Sequence, residues 1–253
     1  MAVQFEVLGR QAVITLDRPT VRNAINRQMA LDIEAAVDRL EADDDIWVGL
    51  LCAKGPTFCA GADLKEVASG KPDFSTTRGG FAGLVRRERV KPLIAVVEGA
   101  ALAGGCEIVL SCDLVVAGAE ALFGLPEVKR SLVANAGGLL RLPKVLPRNI
   151  AMEMILTGDP IDAKTAHKHG LVNCLTPAGG ALDEAQHLAS RIEANAPLAV
   201  RASRRVALNG PPLQEDEGFA LSEEASRDVF RSKDFEEGPR AFIEKRSPRW
   251  QGK

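Results

Sequence analysis

The sequence predicts an α/β layer fold. Three observations carry this: strand-like and helix-like segments alternate through the first part of the chain, the central strand candidates are almost wholly apolar, and past Pro197 only helical periodicity remains. With 253 residues, 46% apolar and 26% charged, the chain suits one large domain with a substantial core.

Residues 5–8 and 12–16 read as paired strands around Gly9-Arg10. Asp17-Arg18-Pro19 breaks the pattern, and Asn26 is placed to cap a helix. In that helix Met29, Ile33, Val37 and Leu40 recur at helical spacing while Asp32, Glu34, Asp38 and Arg39 face water, and Asp43-Asp44-Asp45 ends it. Residues 47–53 form a buried strand. Lys54-Gly55-Pro56 opens a loop, and 62–67 suggest a short helix. Residues 74–83, rich in glycine and threonine, read as a mobile, specificity-determining segment within the variable stretch 66–90. Strands at 93–97 and 114–117 flank a buried helix at 104–110. From Gly137 helices dominate at 139–146, 150–156 and 163–169, followed by a short strand at 171–175 and a helix at 182–194. Helices at 198–208, 219–230 and 235–246 form an appendage suited to packing against another subunit.

A net charge of −2 gives no broad electrostatic reason to expect nucleic acid or an acidic membrane as partner. The start of the chain carries Glu6 and no basic-then-apolar signal, and no apolar run reaches membrane-spanning length, so the expected location is cytoplasmic. Cys52, Cys59, Cys106, Cys112 and Cys174 are odd in number, with no C-x-x-C spacing, and read as reduced thiols rather than a disulfide framework or zinc site.

Chemistry is concentrated in two glutamates twenty positions apart, Glu107 in Ala103-Gly104-Gly105-Cys106-Glu107 and Glu127 in Phe123-Gly124-Leu125-Pro126-Glu127. Each stands after a turn-forming stretch that can aim a carboxylate into a cleft, and paired carboxyls can divide acid and base work. Cys59-Ala60-Gly61-Ala62-Asp63 offers another exposed N–H. Two such donors converging on a carbonyl would stabilise an enolate. Each residue alone also has an ordinary reading. An acid in a first helical turn suits the macrodipole, a Pro-Glu on a loop pairs with Lys129 or Arg130, and a diglycine marks close packing. The apolar Ile108, Val109 and Leu110 weigh the other way, because a carboxylate buried among them needs a partner or a purpose.

Taken together, Asp17-Arg18-Pro19 with Arg22-Asn23-Ala24, Cys59-Ala60-Gly61-Ala62-Asp63-Leu64, Lys91-Pro92-Leu93-Ile94-Ala95, the two glutamate stretches, Ala136-Gly137-Gly138, and residues 237–246 resemble the enoyl-CoA hydratase, or crotonase, family in order and spacing. The resemblance covers the chain from about Phe5 to Lys253. It implies a spiral of ββα units over residues 1–195 and a helical trimerisation region at 196–253, assembled as a trimer or a dimer of trimers. It further implies an acyl-CoA substrate, with coenzyme A as part of that substrate and no separate cofactor or metal.

By the same resemblance, the N–H groups of Ala62 and Gly104 hold the thioester oxygen while Glu107 and Glu127 grip one water. Glu107 deprotonates that water and Glu127 protonates the α-carbon, so one carboxyl is expected protonated and the other ionised. The adenine lies near Ala60, Ala62 and Leu64, and Arg22 near the phosphates. Phe242 and Lys245 reach in from a neighbouring subunit. For Arg22, Phe242 and Lys245 the ordinary reading is a solvated charge or a helix-face aromatic. Asn23 buttresses its loop, and the Asn135 N–H helps hold the water.

Two departures from the pattern concern substrate shape: Ala134-Asn135 stands where many hydratases have Pro-Gly, and Ser131 replaces a common glycine. Within the family, retention of both glutamates favours hydration over isomerisation. Gly79-Gly80-Phe81-Ala82-Gly83-Leu84, Gly138-Leu139-Leu140-Arg141-Leu142-Pro143-Lys144 and the tail through Trp250 resemble the carnitinyl-CoA dehydratase branch. Its quaternary ammonium substrate wants an aromatic or anionic pocket, for which Phe74, Phe81, Asp73 and Glu88 are the candidates. A non-catalytic binding module, acting through a partner such as RNA, is the alternative from another class.

Overall fold

The computed structural model describes residues 2–68 and 73–253. In chain order the first elements are β1 (Val3–Leu8), β2 (Gln11–Leu16), α1 (Arg27–Ala42), β3 (Val48–Ala53), α2 (Leu64–Ala68), β4 (Ser75–Thr76), β5 (Gly80–Phe81), β6 (Leu93–Val97), β7 (Ala100–Leu102), α3 (Gly104–Val109), β8 (Leu114–Gly118) and β9 (Leu122–Gly124). The chain continues through α4 (Gly138–Val145), α5 (Arg148–Thr157), β10 (Ile161–Asp162), α6 (Ala163–Lys168), β11 (Cys174–Thr176), α7 (Ala181–Glu193), α8 (Pro197–Asn209), α9 (Glu215–Phe230) and α10 (Lys233–Ile243).

β1 and β2 form the expected hairpin, with Leu8 opposite Gln11. Asn26 caps α1, its side chain accepting the Met29 N–H at 2.9 Å, which satisfies a donor the helix cannot. Met29, Ile33, Val37 and Leu40 are buried, each contributing about 1.5–3 kcal/mol by leaving water. Buried Lys91 closes the other end, donating from Nζ to the carbonyls of Leu40 and Asp43 at 2.7 and 2.5 Å, so a cation sits at the negative pole of α1.

The main sheet runs β1-β2-β3-β6-β8-β11, parallel from β2 onward. Alternate residues serve two cores. Leu51, Ala95 and Val97 face the large core that includes α1 and α3, while Leu50, Ile94 and Val96 face α7 through Ala181, Ala185 and Ala189. Covered on both faces, these strands have no polar side to show, and their sequences alternate only between one apolar residue and the next.

A second, three-stranded sheet, β10-β9-β7, is not visible in the sequence pattern. Its strands hold two or three residues each, too few to display a period. The 171–175 strand begins later than expected, at Cys174, after buried Leu171 and Val172.

Residues 74–83, expected to be mobile, form instead a β4–β5 hairpin braced against α1. Gly79 N–H donates to Thr76 Oγ1 and Thr76 Oγ1 to Glu34, both at 2.8 Å, and Arg78 pairs with Asp38. Gly79 lies so close to Gly83 that a Cβ there would stand 2.1 Å from the Gly83 carbonyl oxygen. Of the stretch 66–90, residues 69–72 lie outside the described residues.

α8 and α9 pack on each other and α10 on α9. Asp113 fastens α8 to the body. Its carboxylate pairs with Arg204 at 2.9 Å and Arg89 at 3.1 Å and accepts the Leu93 N–H at 2.8 Å. A cleft of about 1590 Å³ remains between α8, α9 and the body. Beyond α10 the tail returns, Trp250 Nε1 donating to the Ala194 carbonyl at 2.8 Å and the Asp234 carboxylate accepting the N–H groups of Gln251 and Gly252. Among the described residues no helix is long and apolar enough to cross a membrane, and all five cysteines are free thiols.

Candidate active site

The small sheet assembles the site. β7 and β9 run parallel with Leu102 beside Gly124, so the segments leaving the two strands emerge at the same edge. After β7 comes α3 with Glu107 in its first turn, and after β9 a 3₁₀ turn at Pro126–Arg130 with Glu127 in its first turn. The Ala103 N–H donates to the Gly124 carbonyl at 2.9 Å, tying the two exits together. On the other side of β7, Cys59 bridges Ala101 and brings the 59–62 loop alongside.

That loop supplies the first free donor. Ile25 N–H donates to the Gly61 carbonyl and Asp63 N–H to the Ile25 carbonyl, both at 2.8 Å. In a parallel bridge these bonds use the residues flanking Ala62, so its own N–H points to the opposite side. Gly104 opens α3, where a helix leaves its N–H groups without intrahelical acceptors. Neither N–H has an acceptor among the described residues. The two lie close together, since a Cβ on Gly61 would stand 3.0 Å from the Gly104 nitrogen. Side chains are excluded around them: a Cβ on Gly104 would stand 2.4 Å from the Phe81 ring, and one on Gly105 2.1 Å from the Cys59 carbonyl oxygen. Phe81 meets Phe74 edge to face at 5.6 Å. Ala103, just before the helix, is held at φ 52, a conformation costing a non-glycine residue on the order of 1–3 kcal/mol.

Glu107 and Glu127 are 3% and 9% exposed. Glu107 Oε1 accepts the Gly138 N–H at 2.9 Å. Burial pushes its carboxyl up, opposed by the N–H groups of Gly138 and Ala136 and by the charge of Arg141. Glu127 has less support. Its Oε2 is buried without a hydrogen-bond partner, and burial, with a smaller push from the charge on Glu107, raises it to about 7 against its own backbone N–H and Arg130. The pair is therefore unequal, with the proton resting preferentially on Glu127. Neighbouring Cys106 is a neutral thiol, its pKa raised by burial to about 12.

Linkage gives this inequality a stability signature. A carboxyl whose folded pKa lies near 7 instead of the usual 4.5 favours folding most while both states are protonated. That contribution is lost as pH rises from the unfolded toward the folded value, by about 3 kcal/mol. Glu127→Gln is thus expected to gain stability relative to wild type between pH 4.5 and 7, measured by urea denaturation across that window. A difference that stays constant with pH overturns the expectation.

The other expected residues divide. The Arg22 carbonyl accepts the Ala60 N–H at 3.0 Å, so Arg22, Ala60 and Ala62 do lie along one loop edge, with Arg22 exposed and left-handed at φ 55. Leu64 opens α2 beside them. Asn23, fully buried, accepts the Arg18 N–H and donates to the carbonyls of Lys54 and Thr57, which makes it the buttress expected of it. Phe242, 84% exposed, and Lys245 lie at the end of α10, which packs on α9. The Asn135 N–H is not available to a water. It donates to the Val133 carbonyl at 2.8 Å because the chain turns tightly there, and Ala136 and Gly138 direct their N–H groups to the Glu107 carboxyl. Ser131 adopts φ 55, the left-handed region that accounts for a glycine in its place elsewhere. Lys129, a candidate partner of Glu127 by its position in the sequence, pairs with Asp159.

Sequence reading missed the N–H groups of Ala136 and Gly138 and the charge of Arg141, although all three residues stand in recognised phrases. Among the described residues no group of three or more His, Cys, Asp or Glu could hold a metal.

The sequence model of Enoyl-CoA hydratase/isomerase matches residues 10–253. Enoyl-CoA hydratase EchA19 of Mycobacterium tuberculosis is 40% identical over 251 residues, 97% of this chain and 94% of that protein. A carnitinyl-CoA dehydratase of Proteus mirabilis is 38% identical over 252 residues, 97% and 96% of the two chains. The crystal structure of an enoyl-CoA hydratase from Mycobacterium tuberculosis superposes with a TM-score of 0.96 at 46% identity, covering 100% of this chain and 99% of the other. Fold, site and full-length similarity agree, and the chain belongs to the enoyl-CoA hydratase/isomerase, or crotonase, family.

Proposed function

We propose that the protein is an enoyl-CoA hydratase, adding water syn across the double bond of a trans-2-enoyl-CoA to give a 3-hydroxyacyl-CoA. The observation that carries this reading is the unequal carboxyl pair beside two unbonded N–H groups. In the reaction Glu107 takes a proton from water as the water oxygen bonds to the β-carbon. The displaced π electrons collect on the thioester oxygen, where the N–H groups of Ala62 and Gly104 stabilise the enolate. Glu127 then delivers its proton to the α-carbon, and one proton returns to Glu127 from Glu107 through solvent. Two carboxyls are needed because one proton is removed and another delivered.

Coenzyme A is carried by the substrate. Its adenine is assigned to the backbone at Ala60, Ala62 and Leu64 and its phosphates to Arg22. Phe242 and Lys245 are assigned to the site of a neighbouring subunit, which agrees with their exposure. Residues 1–195 are the catalytic core and 196–253 the oligomerisation region of a trimer or dimer of trimers. Exposed Phe219, Phe230 and Ile243 support that assignment, since surface aromatic and aliphatic clusters favour association.

A second reading, crotonobetainyl-CoA hydration, is favoured by one feature: the Phe74–Phe81 pair at the Gly104 wall offers aromatic faces to a quaternary ammonium. The anionic candidates fit it less well, because Asp73 pairs with Arg27 at 3.0 Å and Glu88 lines the cleft under α8. The test monitors loss of enoyl-thioester absorbance with short, medium, branched and crotonobetainyl thioesters. Turnover of uncharged enoyl-CoA with the highest kcat/KM is expected. A preference for the crotonobetainyl thioester selects the second reading, and no turnover on any of them selects a binding module.

A further inference from the structure

We propose that Arg141 is a positioning residue whose charge keeps Glu107 the ionised member of the carboxyl pair. The inference deepens the hydratase reading and rests on it for its kinetic consequences.

Glu107 and Arg141 meet at the start of α4. Glu107 Cγ lies 3.1 Å from the point where a Cβ on Gly138 would stand, and Arg141 Nη1 lies 2.6 Å from the point where a Cβ on Gly137 would stand. Carboxylate and guanidinium are thus held against consecutive residues of one dipeptide. Gly137 sits at φ 107, and any side chain there would occupy the guanidinium's place. Arg141 lies three positions after Gly138, which puts it on the same face of the helix.

The guanidinium is fixed from behind. Nη2 donates to the Val85 carbonyl at 2.6 Å, while Nη1 is buried with no hydrogen-bond partner. No direct Arg141–Glu107 ion pair forms among the described residues. The cation acts through space on a carboxyl that is 3% exposed, where charge–charge interaction is stronger than in bulk water. Glu107 therefore keeps both oxygens for N–H donors and water, which a bidentate arginine would occupy.

The surrounding charged and titratable groups leave this role to Arg141. Glu107 is faced by Glu127 from the 3₁₀ turn, by Arg141 from α4 and by the neutral Cys106 thiol on its own helix. Arg141 is faced by Glu107, by Arg89 from the segment before β6 and by Cys112 after α3. Among these, Arg141 is the cation acting on Glu107, and Arg89 is neutralised by Asp113. Without Arg141, two N–H groups alone would oppose the burial of Glu107, and the proton would divide more evenly between the carboxyls. An evenly shared proton leaves fewer molecules with a base ready at Glu107 and an acid ready at Glu127.

The experiment compares Arg141→Gln and Arg141→Lys with wild type in two readouts. In the first, ¹³C-glutamate NMR tracks the side-chain carboxyls of Glu107 and Glu127 through a pH titration of the free protein, the signals assigned with the single Glu→Gln variants. Arg141→Gln is expected to raise the Glu107 midpoint by about one unit, and Arg141→Lys to leave it near wild type. In the second, the acid limb of kcat/KM with crotonyl-CoA moves up by the same amount in Arg141→Gln, the rate below that limb falling about tenfold and recovering at higher pH. An unmoved Glu107 midpoint in Arg141→Gln overturns the proposal, as does a midpoint in Arg141→Lys that moves as far as in Arg141→Gln. If Arg141→Gln does not fold, Arg141→Met, which keeps side-chain bulk without the charge, takes its place and is read by the same criterion: a raised Glu107 midpoint supports the proposal and an unmoved one overturns it. The NMR arm needs no turnover, so absence of hydration by the wild type would remove the hydratase reading while leaving the charge relation measured.

Discussion

Glu107→Gln and Glu127→Gln each lower the rate of crotonyl-CoA hydration by about 10²–10⁴-fold, while the affinity for a saturated acyl-CoA stays within a few-fold of wild type. The amide keeps the shape of the carboxyl and removes its ability to exchange a proton. At Glu107 the amide oxygen can still accept the Gly138 N–H, so the turn at the start of α4 is retained while the base is lost. At Glu127 the amide mimics the protonated acid as a donor but has no proton to give. Because the two act as a unit, the double variant should be little slower than the worse single one. The pH profile tests the same arrangement. Hydration needs Glu107 ionised and Glu127 protonated, dehydration needs the reverse, and both states carry one proton on the pair. kcat/KM in either direction should therefore trace the same bell, its upper limb near the value of about 7 set by burial of Glu127. Near-normal turnover in either variant, or a profile flat from about pH 5 to about pH 9, would sink the mechanism.

The second large effect is on stability. Asp113→Ala removes the carboxylate shared by Arg89 and Arg204 and the acceptor of the Leu93 N–H. The Arg89 side chain is only 3% exposed, and an uncompensated charge at that depth costs about 3–5 kcal/mol. In a chain of this size the melting temperature should fall on the order of 10 °C. Asp113→Asn should fall less, since its amide oxygen can still accept the Leu93 N–H. The Arg204 guanidinium also donates to the Arg89 carbonyl, so Arg204→Ala in the Asp113→Ala background should add less than it does alone. A loss under about 1 kcal/mol in Asp113→Ala would show that the triad does not hold α8 to the body.

Much of the architecture was legible along the chain. α1 was readable because its apolar residues repeat every three to four positions and Asn26 stands where a cap is needed. β6 was readable because both of its faces are buried and the whole segment is apolar. The small sheet was not legible, since two or three residues per strand cannot display alternation and its pairing joins segments distant in sequence. Nor was the hairpin at 74–83. Its glycines suggested freedom, whereas Gly79 and Gly83 serve close backbone approach. At the site, the spacing of Glu107 and Glu127 nominated a pair, and the family phrases added Ala62 and Gly104. Asn135 was misassigned because the direction of an N–H depends on a turn that residue type does not specify.

The sequence by itself determined the periodic elements, the caps and the residues able to carry acid–base chemistry, because these depend on side-chain type and spacing over a turn or two. Only the tertiary structure shows what makes the two carboxyls unequal. That inequality depends on burial, on the Gly138 N–H reaching Glu107 from 31 residues away, and on a guanidinium anchored to Val85. Electrostatic free energy is set by distance through the fold, and distance along the chain does not report it.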